Sequence, residues 1–168
     1  LPDSSPLCSG RLVKFHQKIG IQRKDVKIIE KEIIKIAEGV VKKHNLSPVI
    51  QPEQVADLYG IGVRFNEFDD SFLGIIRYDS SIKQTPFHIF INQSKHTYGL
   101  ENSWTRSTCG HELGHYFIPE HRRLLESGKS LFHTSDDCHN YTVVEKEAQI
   151  FSSHLLMPSS YFSEKSKG

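Results

Sequence analysis

The chain has 168 residues, the size of one ordinary domain with room for a small arm but not for two full domains. Leu, Ile, Val and Phe make up about 29% of it, enough for a packed core and above the level at which disorder is expected. Its net charge of +1 argues against a strongly basic nucleic-acid platform, and no apolar run reaches membrane-spanning length.

Residues 1–22 carry Pro, Ser and Gly without a clear period and read as an N-terminal tail or docking arm, with the main domain over 23–168. The chain starts at Leu1, and its first ten residues lack the charged-then-apolar order of a secretory signal. Three cysteines, Cys8, Cys109 and Cys138, give no disulfide framework and point to a reducing cytoplasm.

From Lys24 to His44, Val26, Ile29, Ile33, Ile36, Ala37 and Val40 recur at helical steps, and Asn45 and Pro48 close the helix. Pro52 to Tyr59 reads as a short second helix ended by Gly60, and Gly62 to Phe65 as a strand. Leu73 to Tyr78 and Phe87 to Asn92, rich in β-branched and aromatic residues, read as an antiparallel pair. A third helix runs from Ser103 or Trp104 through Tyr116 and stops at Pro119. Residues 120–141 show only a turn of helix at His121 to Leu125, and a last helix runs from about Val143 to Leu156 before Pro158. The layout is α+β, with helices packed on a small antiparallel sheet.

The chemistry lies in His111-Glu112-Leu113-Gly114-His115, an H-E-x-x-H. On a helix, i and i+4 share a face, so both imidazoles reach one metal ion, while Glu112 stands beside it as a general base. A catalytic zinc keeps a position for water; the ion acidifies that water and the glutamate takes its proton during attack on a carbonyl.

A third ligand has three candidates. His121 has the spacing of H-E-x-x-H-x-x-G-x-x-H, but position 118 is Ile where that pattern needs glycine, and Pro119 constrains the bend. Glu145 opens the last helix, with Ala148 and Ser152 on its face as small residues that allow close approach. Glu147 points about 200° away from Glu145 around that helix. The helix face favours Glu145, then His121, with Glu147 last.

The stretch TCGHELGHYFIPEH followed by EKEAQIFSSHLLMP resembles the ImmA/IrrE family of metallopeptidases, whose pattern is an HELGH helix, then E-x-x-A-x-x-F, then LLMP. Here the second part is Glu145, Ala148, Phe151 and Leu155-Leu156-Met157-Pro158, and the resemblance spans roughly residues 26 to 162. It implies a zincin-like domain with His111, His115 and Glu145 as metal ligands, Glu112 as general base, and Zn2+ or Mn2+ as the metal. It also implies a cytoplasmic endopeptidase that relieves repression by cleaving a helix-turn-helix repressor, in stress responses or mobile elements. Two departures stand out: Ser107, Thr108, Cys109 and Gly110 replace the usual Phe-Thr-Leu-Ala and should loosen packing behind the site, and Gln149 replaces the usual Asn. Family members usually continue beyond this point with further helices, so the reading includes a C-terminal truncation.

Other residues have plainer readings. His133, Asp136, Asp137, Cys138 and His139 are polar loop residues before they are a second metal site. Cys109 is a small buried residue before it is a thiol switch. Tyr116, His121 and Tyr141 are candidates to stabilise an oxyanion, and the strands at 73–78 and 87–92 offer an edge to an extended peptide. The alternative of another class is a metal-binding regulator that holds a repressor or toxin–antitoxin partner without cutting it; the intact Glu112 argues for the enzyme. A secreted protease of broad specificity and direct DNA binding are both disfavoured.

Overall fold

The computed structural model describes residues 23–46, 49–68, 72–94, 103–128, 138–159 and 161, with residues 23–28 and 138–142 described by backbone alone. The expected arm over 1–22 lies outside the described residues. In chain order the elements are α1 (Arg23–Lys43), α2 (Pro52–Leu58), β1 (Gly62–Asn66), β2 (Gly74–Tyr78), β3 (Phe87–Asn92), α3 (Ser103–Phe117), α4 (Pro119–Glu126) and α5 (Cys138–Leu156). This is the expected α+β architecture. No helix among the described residues is long and apolar enough to cross a membrane.

The periodic apolar face of α1 becomes core from Ile33 onward: Ile33, Ala37, Val40 and Val41 are buried and the helix packs along α5, while Ile29 is exposed and Val26 lies outside the described side chains. It ends where Asn45 takes φ 46°, a left-handed cap that returns the Leu46 N–H to the Val41 carbonyl.

β2 and β3 pair antiparallel, from Gly74 opposite Ile91 to Tyr78 opposite Phe87, as their composition suggests. β1 joins the other side of β3 in parallel, Gly62 opposite His88, so the sheet is mixed and runs β1-β3-β2. The β3 strand is therefore central, and its run Phe87, Ile89 and Ile91 is buried almost completely.

The α3 helix lies through the middle of the molecule, against β2 and β3 on one side, α5 on another and α2 and α4 beyond. Residues around its whole circumference are buried, including Thr108, Cys109, Gly110, Gly114 and His115, which is why its sequence shows no amphipathic stripe. Pro119 stops it, with no N–H to continue the ladder, and at once starts α4 in the first-turn position. The expected single turn at His121 to Leu125 is thus a two-turn helix, braced by an Arg122–Glu126 pair at 2.9 Å. The α5 helix begins at Cys138, five residues before the expected Val143, through a polar stretch with no apolar period.

Candidate metal centre

Close helix packing builds the site. A Cβ on Gly114 would lie 2.9 Å from the Ala148 Cα, and one on Gly110 would lie 2.7 Å from the Ser152 Oγ. Neither side chain fits, so α5 rides directly on the backbone of α3, and the Ser152 hydroxyl donates to the Ser107 carbonyl at 3.3 Å. Gly110, expected to loosen the packing, instead permits it. The small face of Ala148 and Ser152 carries Glu145, one turn earlier, over the two histidines.

His111 Nε2 lies 2.8 Å from Glu145 Oε2, and His115 Nε2 lies 3.4 Å from Glu145 Oε1. One ligand atom from each of the three residues lies within 4.8 Å of the others, the one such group among the described residues. Two imidazole nitrogens and a carboxylate oxygen suit a dication of zinc type, and three protein ligands leave room for water. The residues present therefore fit a metal.

Burial of His111 favours its neutral form, but the hydrogen bond its ring donates to Glu145 and the negative charges of Glu112 and Glu145 outweigh it and raise its pKa. His115 goes the other way, its burial being the larger effect. Burial also pushes Glu145 up, yet hydrogen bonds and charge from the two histidines hold its carboxyl at about 2. The three groups thus form a mutually neutralised cluster that a dication can enter by displacing protons.

Glu112 is buried beneath this cluster and ligates nothing in it. Burial pushes its carboxyl up to about 7; His111 and a backbone hydrogen bond from Ile76 oppose that rise, and Glu145 adds to it. A carboxyl poised near neutrality suits proton transfer. The edge strand frames it: a Cβ on Gly74 would lie 3.3 Å from Glu112 Oε1 and 2.5 Å from the Thr108 methyl, so β2 passes directly over the carboxylate.

His121 and Glu147 do not join the cluster. His121 lies on the far side of His115, Nδ1 to Nδ1 at 3.2 Å, and its Nε2 meets Glu147 Oε2 at 2.9 Å. Tyr116 is packed between Phe87, Phe117 and Tyr59 with the Arg122 guanidinium over its ring, a core position. Cys109 is fully buried and burial pushes its thiol pKa far up, as befits a packing residue. The Tyr141 side chain and the polar cluster at 133–139 lie outside the described side chains. The motif spacing anticipates the close group but not the contact between His121 and Glu147, which depends on how Pro119 turns the chain.

A family model described as the IrrE N-terminal-like domain, of the M78 peptidases, matches residues 56–168. No curated protein and no solved structure matches the chain. The matched segment is most of the chain and contains α3, α4 and α5, so the chain belongs to this peptidase family, whose members point to a metal-dependent protease.

Proposed function

We propose that this IrrE-like peptidase is a zinc-dependent endopeptidase that cleaves a helix-turn-helix transcriptional repressor and so relieves repression. The observation that carries the catalytic part is the convergence of His111, His115 and Glu145 with the buried Glu112 beside them. His111 Nε2, His115 Nε2 and a Glu145 oxygen would hold the cation. When bound, it supplies Lewis acidity, acidifying water and polarising a carbonyl.

Glu112 takes the proton from the attacking water on a carboxylate oxygen and returns it to the departing amine nitrogen. The Ile76 backbone hydrogen bond fixes the carboxylate, and burial keeps it from idle exchange with bulk water. Glycine at position 74 lets β2 pass close against Thr108 and the Glu112 carboxylate. Nitrogen and oxygen donors favour zinc, with manganese the other candidate. The repressor as substrate, a cytoplasmic setting and a role in stress responses are supported by the resemblance to ImmA/IrrE proteins.

The test is to mix the protein, loaded with zinc or manganese, with the helix-turn-helix regulator encoded nearest its gene. A discrete cut, lost in Glu112→Gln and on chelation, is the expected result. An uncut regulator that nevertheless binds the metal-loaded protein overturns the protease reading in favour of a regulator that holds its partner without cutting it.

A further inference from the structure

We propose that His121 and Glu147 form a relay that positions His115, holding it in the tautomer whose Nε2 can bind a cation. The inference rests on the reading of His115 as a metal ligand and adds two residues to that site's function. Each of the two resembled a rival ligand in the sequence; the structure places both behind the ligands.

The rings of His115 and His121 face each other through Nδ1 atoms 3.2 Å apart, so one nitrogen donates and the other accepts. The direction is set at the far end. Glu147 Oε2 lies 2.9 Å from His121 Nε2, and a carboxylate only accepts, so that nitrogen carries hydrogen. In a neutral imidazole the remaining nitrogen is then an acceptor, and His121 Nδ1 receives the Nδ1–H of His115. In the metal-free protein His115 Nε2 lies 3.4 Å from Glu145 Oε1; once a cation takes the place of a proton there, this polarity leaves Nε2 bare toward it. With the opposite polarity, hydrogen would sit on His115 Nε2 and block a cation there.

The arrangement is built into the fold. His121 is 1% exposed, so its two nitrogens must be satisfied inside the protein, and this pair of contacts does so. The relay joins α3, α4 and α5, and it depends on the break at Pro119, which carries His121 back behind His115. Glu145 and Glu147 leave α5 about 200° apart, yet both act on one imidazole, Glu145 at Nε2 and Glu147 at Nδ1 through His121. Partners of this kind fix ring orientation and tautomer at metal sites, and their loss weakens metal binding about 10–100-fold.

The test is zinc affinity by competition with a chromophoric chelator, together with nitrogen-15 spectra of the imidazoles in the zinc-loaded protein. Wild type should bind zinc through His115 Nε2 and show a slowly exchanging His115 Nδ1 proton. His121→Phe should weaken zinc about 10–100-fold and lose that slow exchange. His121→Asn, whose Oδ1 stands near the place of Nδ1, should recover most of the affinity, and Glu147→Gln should fall between. Equal losses in His121→Phe and His121→Asn would mark a packing role and overturn the relay, as would unchanged affinity in His121→Phe or hydrogen on His115 Nε2. Wild-type protein that takes up no zinc would instead sink the ligand reading, and this proposal with it.

Discussion

The Cα of Ala148 occupies the space a side chain at Gly114 would need, 2.9 Å from where its Cβ would stand. That contact sets the distance between α3 and α5, and so between the two histidines and Glu145. Gly114→Ala should therefore destabilise the protein by about 1–3 kcal/mol, as overpacking does, and weaken zinc binding through the displacement of Glu145. Gly39→Ala is the control: an added Cβ there meets nothing within 4 Å, on an exposed helix face. It should raise stability by up to about 1 kcal/mol and leave metal affinity unchanged. Thermal unfolding and chelator competition on both variants check the contrast.

Glu112 holds a carboxyl in a place that disfavours its charge, with a pKa near 7 in the folded, metal-free protein against about 4.3 unfolded. Between these values the folded state binds more protons, so this group's contribution to stability falls as pH rises through the window. A shift of this size corresponds to about 3 kcal/mol at pH 8. Glu112→Gln removes the charge and keeps the shape. Metal-free Glu112→Gln should be the more stable protein at pH 8, with the difference shrinking toward pH 5, while peptide cleavage falls by about 100-fold or more. Denaturant midpoints at several pH values measure it.

His111 retains its proton above the ordinary histidine value because Glu145 and Glu112 face it. A metal must displace that proton, and an imidazole binds only when neutral. Zinc affinity should fall about tenfold per pH unit once the pH drops below the His111 value, and each zinc taken up at pH 6 should release protons. Calorimetry in buffers of different ionisation enthalpy counts them.

Much of this was legible in the chain itself, where the signal was periodic or spaced. The three- and four-residue apolar steps of α1, the β-branched runs of β2 and β3 and the H-E-x-x-H spacing all correspond to observed elements. The β1 strand showed its own extent but not its partner, because parallel pairing with β3 is a long-range choice that five residues do not encode. The start of α5 is not legible because Cys138 to Thr142 offer no apolar repeat. The small-residue helix face favours Glu145, and the structure brings it to His111 and His115. Gly110 looks like a packing defect in the sequence, which does not show that Ser152 fills the space beside it. The His121–Glu147 contact was out of reach for a similar reason: two residues 26 positions apart meet only after Pro119 has turned α4.

The central claim is that one cation sits between His111, His115 and Glu145. A crystal of the zinc-loaded protein, measured at the zinc edge, tests it most directly. The predicted result is a single anomalous peak about 2.0–2.2 Å from His111 Nε2, His115 Nε2 and a Glu145 oxygen, with His121 outside ligand distance. A peak at His121 and Glu147, or none between the two motif histidines in protein that carries zinc, would contradict it.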